Sequence, residues 1–175
     1  FRMIAEYCRS RQYEKIEEYL KELNFKNVVE EIKVYCRNDT ANIILSYYAW
    51  LSETEGIHYI CEADLPKRIS CDEMDLSVLL GNALENAVEG CKKAKTERDL
   101  RIKLRYEKKK LILDVRNSFD GCLREKNGVL LSTKELAQHG FGMRSIQRVV
   151  DKYDGYLRYY VEDLTFVLQI VLMLN

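Results

Sequence analysis

Residues 79–90, Leu-Leu-Gly-Asn-Ala-Leu-Glu-Asn-Ala-Val-Glu-Gly, constrain the fold most, because one helix must serve two different environments. At helical spacing Leu80, Leu84, Ala87 and Val88 form an apolar side, with Ala83 small enough to sit against it. Asn82 and Asn86 fall one turn apart on another face, and so do Glu85 and Glu89. The apolar side needs a sheet or a second helix to cover it. The amide side offers neutral oxygens to a hard cation without adding negative charge. That suits a Mg²⁺ ion which arrives with phosphates and keeps several waters. A solvated face carrying two amides by chance is the plainer alternative.

The chain downstream bears on that choice. Leu111-Ile-Leu-Asp-Val-Arg-Asn117-Ser118 alternates as a strand and ends in an amide. His139-Gly140-Phe141-Gly142-Met143 then leads into the helical Arg144 to Lys152. Glycines at a helix start let bare backbone N–H groups approach an anion, and the helix dipole favours negative charge there. A lone Gly-x-Gly equally serves a tight loop. The three pieces in this order make a more specific pattern.

In that order they resemble the nucleotide-binding domain shared by gyrase, sensor histidine kinases and MutL, the Bergerat or GHKL fold. Asn82 to Asn86 matches the family's asparagine box, and Asn117 stands where the first glycine box usually has an aspartate reading the adenine amino group. Gly140-Phe141-Gly142 matches the second glycine box, and Thr165-Phe166 resembles the threonine-containing strand that closes the adenine pocket. Asn117-Ser118, and Ser132-Thr133-Lys134 shortly before His-Gly-x-Gly, are most similar to membrane sensor kinases of the peptide-pheromone, quorum-sensing receptor type. The likeness runs well from about residue 38 to the end and more loosely over 1–35.

The resemblance implies ATP and Mg²⁺ as ligands. Asn86 and Asn82 would hold the metal, while Asn82, Asn86, Asn117, Lys134, His139, Gly140, Gly142, Met143 and Thr165 would line the nucleotide site. It also implies a homodimer through the N-terminal helices, a response regulator as partner, and the cytoplasmic portion of a bacterial membrane-bound sensor. Family members that hydrolyse ATP carry a glutamate one turn before the metal-binding asparagine. Here that place is Asn82, and an amide cannot take a proton from water. Weak hydrolysis and transfer to histidine are therefore expected, with Glu85 as the one neighbouring carboxylate able to act as a base. A non-catalytic nucleotide-binding regulator and a gyrase-like conformational ATPase stay open as alternatives.

Lysine plus arginine balances aspartate plus glutamate at 28 each, so no global field attracts nucleic acid or an anionic membrane. The six cysteines form no C-x-x-C pair and no zinc spacing, as expected of reduced thiols. No segment reads as a membrane span; the apolar end, 164–174, alternates as a strand. Membrane attachment is thus expected only through a sensor region preceding this sequence.

Two parts are expected. Residues 1–9 and 13–35 read as a helical hairpin, with Met3, Ile4, Tyr7 and Cys8, then Ile16, Tyr19, Leu20 and Leu23, as apolar stripes. Such a hairpin pairs with a second copy or folds back on the main domain. The remainder, 38–175, reads as a two-layer α/β sandwich with helices on one sheet face. Asp39 or Thr40 caps a helix to about Thr54 with Ile43, Ile44, Tyr47, Trp50 and Leu51 inward. Then follow a strand 57–61, a helix 72–95, a hairpin 100–117, a loop 118–138 read as an ATP lid, a helix 142–152 and strands 156–162 and 164–174. Within the lid Ser132 to Glu135 reads as a capping box, and Lys134 as a phosphate contact. His58 reads as a packed or surface residue, His139 as either a phosphate contact or a residue with no chemistry. The resemblance places the phosphate-accepting histidine just before Phe1.

Overall fold

Periodicity in the sequence translates into three helices laid on one face of a five-stranded sheet. The computed structural model describes residues 15, 33–95, 97–120, 124–126, 129–131 and 141–174. The chain divides into two units, Phe1–Lys33 and Val34–Asn175. The first unit, with the expected hairpin helices, lies almost entirely outside the described residues. The second contains α1 (Asp39–Thr54), β1 (His58–Asp64), α2 (Glu73–Lys93), β2 (Asp99–Glu107), β3 (Lys110–Ser118), β4 (Arg124–Lys126), β5 (Val129–Leu131), α3 (Phe141–Lys152), β6 (Tyr156–Glu162) and β7 (Thr165–Met173).

The strand order is β1-β2-β3-β7-β6. β1 runs parallel to β2, as it must when a helix connects them, and the other neighbours are antiparallel. Alternation decides which side faces the helices. Leu100, Ile102 and Leu104 of β2 stand opposite Asn117, Val115 and Leu113 of β3, and all are buried. Leu168, Ile170 and Leu172 continue that layer on β7. The opposite face is polar: Arg116 donates to Asp114, and Gln169 bridges Asp114 and Arg158. A mixed α/β architecture with helices on one face is what the alternation predicts.

α2 is the central rod. Asp72 caps it by accepting from the N–H groups of Met74 and Asp75, and Leu76, Leu79, Leu80, Leu84, Ala87 and Val88 bury its apolar side. Its first turn is tied to the end of α3. The Asp75 carboxylate accepts from Lys152 Nζ and, at 2.8 Å, from the Tyr153 hydroxyl, which itself accepts from Asp72 N at 2.9 Å. The Lys152 hydrogen bond, aided by Tyr153 and opposed by desolvation, holds the Asp75 carboxyl below its ordinary value. A depressed folded-state value adds stability above the unfolded value and loses it as pH falls through the folded one. Replacing Asp75 with Asn is therefore expected to lower stability at neutral pH and to flatten the acid limb below about pH 4. Urea midpoints measured across that range check it.

Four readings need correction. The second expected helix does not continue through 33–35, which are irregular. There Tyr35 N donates to Asn42 Oδ1 at 2.7 Å and Arg37 N to Leu65 O at 3.1 Å, so these groups serve tertiary contacts instead of a helix. The cap of α1 is Asn38, whose side chain accepts from Ala41 N at 2.9 Å; Asp39 is already inside the helix. The buried side of α1 is Ala41, Leu45, Tyr48 and Ser52, while Ile43 is 64% and Tyr47 47% exposed. Ile44 and Leu51 pack against the core beside that line as expected, while Ile43 and Tyr47 face away from it. Finally, the expected lid is not structureless. β4 and β5 pair antiparallel, Arg124 opposite Leu131. Asn127-Gly128, the commonest tight-hairpin dipeptide, separates them in sequence.

Candidate functional site

Asn82, Asn86 and Gly90 follow one another at four-residue spacing along α2 and form a single stripe beside its apolar side. Each end of that stripe meets a different element. At the Asn82 end lies the first turn of α3. A Cβ placed on Gly142 would come 3.3 Å from Asn82 Oδ1 and 3.4 Å from both terminal atoms of Asn86. At the other end lies the last turn of β3. A Cβ on Gly90 would come only 2.4 Å from Asn117 Nδ2. Three of the sequence motifs thus converge on one helix face.

Local bonding orients the amides. Asn82 Nδ2 donates back to Val78 O at 2.6 Å, which leaves Oδ1 directed away from its own helix toward Gly142. Asn86, one turn on, is half-buried against the same glycine. α3 begins there with no acidic residue in its first turn. Its leading N–H groups have no intrahelical partners, so a partial positive charge faces the two amides. Asn117 is 3% exposed and Ser118 8%. Ser118 Oγ accepts from Asp99 N at 2.8 Å and so fastens the end of β3 to the start of β2. Thr165 stands opposite Ser118 in register, next to the Asn117–Phe166 pair. Asn117, Ser118 and Thr165 line an open groove of about 540 Å³ together with Asp99, Arg101, Arg116 and Glu162.

Glu85 is not on this line. It is exposed, and its charge, with that of Glu89, acts on Tyr48 of α1. Burial, and then these two carboxylates, push the Tyr48 hydroxyl up to about 12, and it donates to Gly81 O at 3.0 Å. Met143 packs against the core from the first turn of α3. Lys134, His139 and Gly140, like Ser132 and Thr133, lie outside the described residues. His58 is exposed on β1, its Nδ1 2.9 Å from Asp99 Oδ1. Gly90 is the site residue that sequence reasoning missed. The available signal was a glycine inside a strong helix, one turn past Asn86, where it costs stability unless something approaches closely.

The donor set suits a cation that brings its own ligands. Two amide side chains supply neutral oxygens, and no group of three or more His, Cys, Asp or Glu among the described residues is placed to hold a metal unaided. The described cysteines, 36, 61, 71 and 91, form no disulfide, and burial raises Cys36, Cys71 and Cys91 above the ordinary thiol value. No described helix is long and apolar enough to cross a membrane.

Comparison with known proteins follows this geometry. A family model described as GHKL domain matches residues 72–173, from the cap of α2 to the end of β7. No curated protein sequence matches. Among solved structures, the catalytic domain of histidine kinase ThkA superposes with a TM-score of 0.56 at 16% identity, covering 77% of this chain and 92% of that one. Histidine kinase AdeS of Acinetobacter baumannii gives 0.59 at 13% identity over 94% of this chain and 81% of that one. The histidine kinase domain of the Erythrobacter litoralis blue-light activated kinase gives 0.57 at 12%, over 77% and 61%. At these identities the likeness is one of fold. The family match covers more than half of the chain and every element of the described site, leaving out α1 and β1. The chain belongs to the GHKL domain family and has the fold of a histidine kinase catalytic domain.

Proposed function

We propose that this chain is the ATP-binding catalytic portion of a two-component sensor histidine kinase. It binds Mg²⁺-ATP along the Asn82–Asn86–Gly90 stripe and transfers the γ-phosphate to a histidine upstream of this sequence. The observation that carries the reading is the meeting of that stripe with Gly142 at one end and Asn117 at the other. Asn86 and Asn82 would hold the ion, the opening turn of α3 would take the phosphates, and Asn117 with Thr165 would take the base. When bound, Mg²⁺ would neutralise charge that builds on the phosphate oxygens. The protein's own contribution is position: two fixed amides, a helix N-terminus and a rigid strand end.

Residue 82 separates transfer from hydrolysis. Its amide nitrogen is committed to Val78 O, and its oxygen is too weak a base to take a proton from water. Water is therefore not activated there, while a histidine nucleophile needs no such base. Pairing with a second copy through the N-terminal helices, a response regulator as phosphate recipient, and a pheromone-type sensor upstream belong to the same proposal and rest on the sequence motifs. Titrating the protein calorimetrically with ATP, with and without Mg²⁺, tests the core of it. Binding that needs Mg²⁺ supports the reading; no binding in either condition removes it.

A further inference from the structure

α1 turns a second apolar side outward. Asp39, Ile43, Tyr47, Trp50 and Thr54 recur at helical spacing and form one stripe, opposite the buried line of Ala41, Leu45, Tyr48 and Ser52. Ile43 and Tyr47 are exposed and Trp50 is half-buried. The Tyr47 and Trp50 rings lie 6.0 Å apart and tilted, so with Ile43 one turn before they make a continuous apolar surface. That surface is held in place. Tyr47 meets Tyr48 edge-on with ring centres 5.1 Å apart, and the Tyr48 hydroxyl is fixed to Gly81 O of α2. Contiguous apolar side chains kept in water mark an interaction face, whereas single scattered ones need no explanation. Tyrosine and tryptophan are the usual anchors of such faces.

The charge around the stripe indicates what covers it. α1 contains no lysine or arginine from Asp39 to Thr54. Asp39 opens the stripe and Glu53 flanks its end, and both are exposed. On the side of α2, Glu85 and Glu89 lie close enough for their charges to reach the Tyr48 hydroxyl. They stand on a different line of α2 from Asn82, Asn86 and Gly90, so this face is separate from the stripe that meets α3. An apolar strip rimmed by carboxylates repels a copy of itself and an anionic membrane. The chain's own cations include Arg101, Lys103 and Arg105, exposed on the open side of the sheet. Pairing that side with this stripe would be head-to-tail and would build rings or filaments.

We propose that the outer face of α1 is a docking surface for a basic amphipathic helix of a partner protein. The apolar side of that helix lies along Ile43, Tyr47 and Trp50, and its lysines or arginines reach Asp39, Glu53, Glu85 and Glu89. The aromatic strip supplies affinity, and the carboxylate rim supplies orientation and rate of encounter. The surface stands apart from the proposed nucleotide site, so each can fail without the other.

Trp50 is the only tryptophan, so its emission reports on this face without a label. The probes are a synthetic peptide repeating leucine at helical spacing among lysines, the same peptide with glutamates for lysines, and phosphatidylcholine vesicles. With the lysine peptide the emission is expected to shift to the blue and saturate, and added salt to weaken binding. Ile43→Lys, at an exposed position, is expected to weaken that peptide at least about tenfold, and Glu53→Lys about threefold. If Ile43→Lys does not fold by circular dichroism, Glu53→Lys carries the comparison. Emission unmoved by the lysine peptide would overturn the proposal, and so would an equal shift with the glutamate peptide. Unchanged affinity in the variants would do the same, by placing the peptide elsewhere. A shift on the vesicles would give the face to a lipid surface, and self-association abolished by Ile43→Lys would give it to a second copy; either result overturns the assignment.

Discussion

Asn86→Ala is expected to lose Mg²⁺-ATP binding by more than about a hundredfold, since even partners one step removed from a metal cost 10–100-fold. Asn86 sits centrally on the stripe, with both terminal atoms at 3.4 Å from the position a Gly142 Cβ would take. Removing it takes away the oxygen proposed to hold the metal and opens a gap in front of α3. The helix itself should not suffer. Asn86 is only half-buried, and alanine is the better helix former by roughly half a kcal/mol. Far-ultraviolet circular dichroism and the melting temperature should therefore match wild type while calorimetric binding disappears. A variant that still binds Mg²⁺-ATP normally would remove Asn86 from the site and, with it, the reading of α2 as the phosphate-facing helix.

Gly155→Ala is the second large effect, and it falls on stability. α3 ends with Asp154 in a left-handed conformation (φ 46°), and Gly155 N then donates to Val150 O at 2.8 Å. The glycine lies where α3 turns into β6, tight against the neighbouring strand. A Cβ there would stand 2.5 Å from Val171 O and 3.0 Å from Val150 O. Both obstacles are backbone, so no side-chain rotation relieves them. Either β6 moves off β7 or the α3 turn opens. The expected cost is about 1–3 kcal/mol, and melting should fall by roughly 2–4 °C for each kcal/mol. Gly81→Ala is the control. That glycine is inside α2 with nothing within 4 Å of its Cβ position, so alanine should stabilise by up to about 1 kcal/mol. Equal melting temperatures for the two variants would show that the close approach at Gly155 is not rigid.

The contrast among glycines also shows where a sequence is legible. Alternation in 100–117 and 164–174 and the apolar stripe of α2 read directly, because burial there depends on large side chains repeating at one period. α1 misleads for the opposite reason. Its core side mixes the small Ala41 and Ser52 with Leu45 and Tyr48, and Ile44 and Leu51 pack beside them while Ile43 and Tyr47 stay exposed, so hydrophobicity places the face only in part. The irregular stretch at 33–37 depends on Asn42 and Leu65 accepting its N–H groups, and no local pattern announces partners at that distance. The motifs at Asn82, Asn86, Asn117 and Gly142 stand out as residue types, yet their convergence is a property of the packed helices. Gly90 stays silent in the sequence because its meaning lies entirely in the amide it touches.

α2 has its leucines in the core and its amides on the adjoining stripe of the same rod. Occupancy and cooperative unfolding are thereby coupled. A ligand that binds only the native rod raises its free energy of unfolding, by about 2.7 kcal/mol at a hundred times its dissociation constant. A simple melting curve in increasing ligand is thus a direct gauge of which molecules this helix recognises.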